Sequence, residues 1–112
     1  MPAREIPRQQ WPRFFGEFGY EHFGWNVTLE QQVAGRGRLI GDERRFLQEM
    51  TTEEAQGHPQ ITIVVGVPFA AHQTHVVPDP RRVRFVAERD AVEIDTGDGR
   101  TVVVQVRRGS RL

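Results

Sequence analysis

The stretch that decides the fold is residues 82–107, which read RVRFVAERDAVEIDTGDGRTVVVQVR. Apolar and charged side chains alternate at its start and again after residue 91, which is the pattern of two half-buried strands. If antiparallel partners have numbers that sum to 177, apolar residues oppose each other on one face and opposite charges on the other. A slip of one residue would destroy both patterns, so this register is the predicted one. The predicted pairs are Phe85 with Val92, Val83 with Ile94, Arg84 with Glu93 and Arg82 with Asp95.

A second hairpin follows directly in the sequence. The glycine-rich loop at residues 97–99 joins residues 91–96 to residues 100–107, and such short loops are typical of hairpins. Alternating valines of the last strand then join the apolar face of the first hairpin. These valines are Val102, Val104 and Val106.

An aromatic stripe predicts a helix over residues 7–22. Its side chains recur every three or four positions, which is the period of a helix face. Pro12 is tolerated only in the first turn, because inside a helix its ring removes a backbone hydrogen bond. The regular helix is therefore expected to begin near residues 8–11. The stripe consists of Trp11, Phe14, Phe15, Phe18 and His22.

Several shorter segments lie between this helix and the two hairpins. The first alternates with period two, and the most β-rich one, residues 60–67, is apolar on both faces and should be a central strand. Glycine clusters indicate connections between the strands. Strands are predicted at residues 25–30, 46–52 and 60–67, with flexible connections at 35–38 and 41–43 and a loop at 56–59.

Together these segments predict an α+β fold in one domain, residues 1–112. The N-terminal helix packs on a curled antiparallel sheet of five to six strands, and the β region spans residues 25–107. No long crossover segment is present, so parallel neighbours are not expected. A sheet this short and glycine-rich is expected to curl into a small barrel or half-barrel, with the helix over one mouth or face.

The composition excludes several kinds of catalysis. All 15 cationic side chains are Arg, balanced by 15 acids, and the chain has neither Lys nor Cys. There is thus no thiolate and no Schiff-base lysine, and the only serine, Ser110, lies too near the C-terminus for a catalytic triad. We therefore expect no enzymatic activity and no cofactor. With no signal-like N-terminus and no spanning apolar run, a cytoplasmic location without membrane contact is expected.

Several short motifs give the chain a resemblance to a known family. They are Arg4-Glu5-Ile6-Pro7, Trp11, Phe14-Phe15, Gly24-Trp25, and His72-Gln73-Thr74-His75 ahead of Val77-Pro78. In this order they resemble a family of small bacterial proteins of about this length, known only as a domain of unknown function. The resemblance covers nearly the whole chain and implies a bacterial origin and a stand-alone domain. It implies no activity and no site residues.

His72 and His75 form the most suggestive local motif for a metal site. Two imidazoles three residues apart can share a metal ion in a turn or helix. On a regular strand they point to opposite faces and cannot share one ion, and then one His is exposed and the other is hydrogen-bonded. A third ligand would have to come from His58, His22 or Asp79.

The arginines suggest contacts with nucleic acid or another anion. Arg36, Arg38 and Arg81 are the candidates, because small barrels bind single strands with a basic groove beside aromatic side chains. The net charge of zero disfavours this function, since nucleic-acid-binding domains are typically basic. The candidate aromatic platforms are Phe46, Phe85 and Trp25.

An uncharged segment suggests a partner surface. No charged side chain occurs from residue 55 to residue 78, although 27% of the chain is charged. Part of this segment is predicted core, but its flanks should be loops, and exposed uncharged patches are typical of interfaces. We expect residues 57–78 to contact another protein or a second copy, with Phe69 at the tip, unless Phe69 folds back into the core. The candidate contact residues are His58, Phe69, His72 and His75.

The sequence therefore favours a non-catalytic domain that acts through protein–protein contact or self-association. Binding of nucleic acid or an anion by a small barrel is the second hypothesis. A His-based metal site is the third.

Overall fold

The structure, a computed structural model, describes residues 3–40, 45–66 and 72–108. In these residues one α-helix accompanies a nine-stranded antiparallel sheet, which confirms the predicted α+β class. The predicted five to six strands are too few. Of the two predicted shapes, barrel and half-barrel, the barrel is wrong because the sheet is not closed. The elements are β1 (Arg4–Ile6), a 3-10 helix (Arg8–Gln10), α1 (Trp11–Glu21), β2 (Asn26–Val33), β3 (Arg36–Leu39), β4 (Phe46–Ala55), β5 (His58–Gly66), β6 (Gln73–Pro78), β7 (Pro80–Val86), a second 3-10 helix (Ala87–Arg89), β8 (Ala91–Thr96) and β9 (Arg100–Arg107).

The β7–β8 hairpin has the register that the sequence predicts. All four predicted pairs are observed, and Val83, Val92 and Ile94 are fully buried on the apolar face. The loop at residues 97–99 then leads into β9, whose alternating valines complete this face. The register is thus fixed by simultaneous burial of apolar side chains and pairing of charges.

The charges on the outer face of this hairpin pair diagonally as well as directly. Arg84 lies 3.1 Å from Glu93, its partner across the hairpin, and 2.6 Å from Asp95, two pairs further along on the same face. Hydrogen bonds from Arg84 lower the pKa of Asp95. Arg82, the backbone partner of Asp95, instead has its guanidinium 3.8 Å from Glu5 of β1.

The sheet bends where β2 meets β4. Its strands follow the order β1-β7-β8-β9-β2-β4-β5-β6, and β3 pairs with β2 outside this path. β2 pairs with β9 over its whole length but shares only the pair Asn26–Phe46 with β4. The far half of the same β2 edge pairs with β3 instead. The sheet therefore divides into two leaves, β1-β7-β8-β9-β2 and β4-β5-β6, with the main core between them.

Helix α1 fills one side of this core with its aromatic stripe. Trp11, Phe15 and Phe18 are buried, and Phe14 and Phe18 make ring contacts with Phe85 of β7. A 3-10 turn precedes the helix, and Pro12 lies in its first turn, as the predicted start requires. The Trp11 indole nitrogen donates to the carbonyl oxygen of Ile6 at 2.9 Å, which ties β1 to the helix.

Several boundaries differ from the prediction, and β6 was not predicted as a strand. Residues 36–38, predicted to lie in a flexible connection, belong to β3, because Ala34 and Gly35, both with positive φ, turn the chain back onto β2. The short strand β1 extends the sheet to residues before the predicted β region. His58, predicted in a loop, is the first residue of β5, since the turn before it is only two residues long. No helix among the described residues has both the length and the apolar composition to cross a bilayer.

Candidate functional site

A buried guanidinium lies at the joint between the two leaves. Arg45 is only 5% exposed, and its Nη1 donates to Nε2 of His75 on β6 at 2.7 Å. Arg45 forms no ion pair with any described carboxylate, and its buried Nε has no hydrogen-bond partner there. A buried cation without a counter-charge is costly, so this arrangement is the most unusual electrostatic feature of the described residues.

The hydrogen bond from Arg45 determines the charge and the tautomer of the His75 ring. A guanidinium can only donate, so Nε2 of His75 must accept, and the ring is neutral with its proton on Nδ1. Burial, followed by the positive charge of Arg45, lowers the pKa of His75 from its ordinary value of 6.5. Within the described residues Nδ1 has no hydrogen-bond partner. His75 can therefore donate one further hydrogen bond.

His75 lines a cavity of about 210 Å³ between β6 and the other leaf, which we call the β6–β9 cavity. Arg100 of β9 lies across it, with Nη1 donating to the side-chain oxygen of Gln31 at 3.3 Å and Nε 2.8 Å from Asp98. Hydrogen bonds from Thr96 and Arg100 lower the pKa of Asp98 to about 2, so Asp98 neutralises Arg100 at ordinary pH. The remaining wall is mostly aliphatic: Leu29, Ile40, Ile63, Val77 and Val102.

A larger open groove of about 920 Å³ runs between α1 and the outer face of β4 and β5; we call it the α1–β5 groove. Tyr20 and Phe23 line it and are 86% and 62% exposed. Val64 and His72 form part of the opposite wall. The groove thus places exposed aromatic rings next to part of the uncharged segment.

The outer edge of β6 is the third candidate surface. Among the described residues β6 pairs only with β5, and none of its side chains is charged. Val76 in its middle is 49% exposed. The edge strands β1 and β3, by contrast, carry the exposed charged residues Arg4 and Glu5, and Arg36 and Arg38.

The structure does not bring the predicted partner residues to one place. His72 lines the α1–β5 groove beside Val64, and His75 lines the β6–β9 cavity beside Ile63. Because Val64 and Ile63 are neighbours on one strand, the two histidines lie on opposite faces of the leaf. His58 lies at the start of β5, by the turn that follows β4. Phe69 lies outside the described residues, so the alternatives for it stay open.

The positions of His72 and His75 do not favour the predicted metal site. His72 and His75 face different sides of the leaf, and the second of them already accepts a hydrogen bond from Arg45. The described part of the chain holds no group of three His, Asp or Glu side chains arranged for a metal ion. His-based metal binding stays a prediction that this arrangement does not favour.

The predicted nucleic-acid residues are also separated. Arg36 and Arg38 are exposed on β3, whereas Arg81 lies at the start of β7. Arg81 donates to both carboxylate oxygens of Asp79, at 2.9 and 3.2 Å. The proposed aromatic platforms are engaged elsewhere: Phe85 packs on α1, and Trp25 contacts His22. No continuous basic stripe with free aromatic rings is formed by these residues.

The sequence did not single out Arg45 or Arg100 as site residues. Arg45 immediately precedes β4, at a position where a solvated side chain is the ordinary expectation. Its burial depends on His75, 30 positions away, and on the bend between the leaves. No short-range pattern carries that information.

The fold and these surfaces define an α+β domain in which one helix packs on an open, bent antiparallel sheet. No protein family, no curated protein and no solved structure matches the chain. The resemblance to small bacterial proteins of unknown function therefore stays a prediction, as does the bacterial origin that it implies.

Proposed function

We propose that this chain is a non-catalytic interaction domain that self-associates, with the β6 strands of two copies pairing antiparallel across a two-fold axis. The observation that carries the proposal is the uncharged outer edge of β6. An edge strand presents unpaired backbone donors and acceptors, and monomeric proteins commonly protect such edges with charged side chains. The β6 edge lacks this protection over all six residues.

The charge pattern favours a second copy of the chain as the occupant. When a strand pairs antiparallel with itself, each side chain meets one from the same short sequence, so like charges are easily opposed. In β6 no such repulsion arises in any register. The edges of β1 and β3 expose charges, and arginines of β3 would come together in a self-paired edge. Of the described edges, β6 is the one suited to self-pairing.

The β6 pair would extend the leaf β4-β5-β6 into a continuous six-stranded sheet. Backbone hydrogen bonds along the edge would supply the contact, as in other complexes that form by strand addition. Val76 is exposed before association and would become covered near the centre of the pair. Closed two-fold pairing leaves no further β6 edge exposed, so assembly would stop at the dimer.

Light scattering coupled to size exclusion tests this proposal with a matched pair of variants. Val76→Lys places a charge on the β6 edge, and Leu39→Lys places the same charge on β3, at a similarly exposed residue. We expect the wild-type chain and Leu39→Lys to have the mass of a dimer at high protein concentration, and Val76→Lys that of a monomer. A monomeric wild-type chain, or equal masses for the two variants, contradicts the proposal.

A further inference from the structure

Among the described residues, one positive charge near the β6–β9 cavity has no carboxylate partner: that of Arg45, which does not line the cavity but is hydrogen-bonded to His75, which does. Arg100 is neutralised by Asp98, whose carboxylate lies 2.8 Å from it. His75 is neutral, because its Nε2 accepts the hydrogen bond from Arg45. Arg45 has no carboxylate partner among the described residues. The three basic groups and Asp98 therefore sum to one excess positive charge, that of Arg45.

The hydrogen-bonding groups at the cavity are suited to an oxyanion. Nδ1 of His75 carries a proton and has no acceptor among the described residues. The amide nitrogen of Gln31 is free to donate when its oxygen accepts from Arg100. His75 and Gln31 line the cavity from different strands, and a buried cation is hydrogen-bonded to the other ring nitrogen of His75. Such donors next to a positive charge favour a bound negative charge.

The rest of the cavity wall restricts the kind of anion. Leu29, Ile63 and Val102 line it and are buried in the core. A fully hydrated ion such as phosphate would leave these side chains in contact with water, whereas a short hydrocarbon tail would cover them. One excess charge also matches a monoanion better than a dianion.

From this geometry we infer that the β6–β9 cavity binds a small monocarboxylate with a short aliphatic tail. Its carboxylate would lie between His75 and Arg100, and its tail would lie against the aliphatic wall. Arg45 would not touch the ligand; it would act through His75, by fixing the ring's proton on Nδ1 and by supplying a charge that no carboxylate of the described residues compensates. Val76 of the β6 edge also lines the cavity, but the proposed contacts of the carboxylate are with His75 and Arg100 and do not require dimer formation.

Hexanoate is a suitable probe, with 1-hexanol and inorganic phosphate as controls. Hexanol keeps the tail without the charge, and phosphate is an oxyanion without a tail. We expect hexanoate to raise the melting temperature of the wild-type chain, because a ligand that binds only the folded state stabilises it. We expect no comparable rise with either control. A rise of the same size with hexanol, or none with hexanoate, overturns the inference.

Variants test whether Arg45 and Arg100 contribute to binding of hexanoate or only to the stability of the fold. Arg45→Met and Arg100→Met should each lose the hexanoate-induced shift, whereas Arg36→Met, at an exposed arginine of β3, should keep it. In NMR spectra of the wild-type chain, hexanoate should move the ring signals of His75 and leave those of His58 unchanged. If Arg45→Met does not fold, Arg100→Met and the His75 signals decide the outcome. Unchanged His75 signals, or a full shift in Arg100→Met, contradict the inference.

Discussion

His75 connects two features of the structure at the scale of single residues. It belongs to the edge strand β6, and its ring is the only described hydrogen-bond partner of the buried guanidinium of Arg45. Protonation of the ring would remove the acceptor and place a second positive charge beside Arg45. Arg100 lines the same cavity but is held by Asp98. The folded chain therefore resists protonation of His75.

This resistance predicts a pH-dependent stability. The pKa of His75 is lowered in the folded state, so below its ordinary value of 6.5 the unfolded chain binds the proton more readily than the folded chain. The contribution of neutral His75 to the free energy of unfolding is therefore fully present above pH 6.5 and is lost as the pH falls below that value. We expect the free energy of unfolding to fall between pH ~7 and ~5, as measured by urea denaturation.

The variant His75→Gln tests the assignment of this loss to one residue. Its side-chain oxygen can still accept from Arg45, but it does not titrate. We expect a smaller loss of stability on acidification than in the wild-type chain. His58→Gln changes an exposed histidine at the start of β5 and should retain the wild-type loss. Equal pH profiles for the two variants would show that His75 is not responsible.

Alternation in the sequence was sufficient to predict which residues of β7 and β8 face each other, but not which ions pair. Direct pairing of Arg84 with Glu93 is observed. The closer contact of Arg84 is with Asp95, because a long side chain reaches the diagonal neighbour, and Arg82 extends toward β1 instead. The presence of β1 beside β7 was not predicted, so no pattern indicated Glu5 as a partner.

At the scale of elements, the packing of α1 on β4 depends on one glycine. Gly19 lies against the β4 backbone, where an added Cβ would be 3.0 Å from the amide nitrogen of Met50. Gly16, one turn earlier, has open space at the same position. The two glycines belong to one helix and have the same intrinsic propensity, so they form a matched pair.

We expect opposite effects of alanine at these two positions. Gly16→Ala should raise the free energy of unfolding by about 0.4–1 kcal/mol, because alanine favours the helix and restricts the unfolded chain. Gly19→Ala should lower it, since the new methyl group would push the helix from β4, and such overpacking costs about 1–3 kcal/mol. Thermal or urea unfolding measures both. A stabilising Gly19→Ala would contradict the observed helix–strand contact.

A β-bulge in β4 is an irregularity that the prediction of this strand did not include. Leu47 and Met50 are both buried although they are three residues apart, which strict alternation forbids. The register shifts between Leu47 and Glu49, leaving Gln48 as the extra residue, and this returns Met50 to the core face. The sequence at this point contains no glycine or proline that would indicate the irregularity.

At the scale of the whole molecule, local patterns predicted the class of fold but not its bend. The helix, both C-terminal hairpins and the strand composition of residues 60–66 were predictable, because each is set by neighbours close in sequence. The division into two leaves depends on the short joint between β2 and β4 and on the way β3 occupies the rest of that edge. These strand pairings join residues that are far apart in the sequence, and the cavity between the leaves is a result of them.

The two proposals place different activities on the two sides of β6. Its inner face contributes His75 to the β6–β9 cavity, and its outer edge is uncharged. Self-association through that edge is the central claim, because it assigns a role to the uncharged segment of the sequence. The claim concerns a definite geometry, with equivalent residues of two β6 strands close to each other.

A single nitroxide label tests this geometry most directly, and the absence of cysteine allows one label at one introduced residue. Paired strands lie about 4.8 Å apart, so equivalent residues of two six-residue β6 strands lie within roughly 20 Å. We predict strong dipolar broadening of the electron paramagnetic resonance spectrum for label at Val76→Cys, and none for label at Leu39→Cys. The spectra are recorded at the protein concentrations that are used for light scattering on the wild-type chain. An unbroadened spectrum for label at Val76→Cys would contradict pairing through β6.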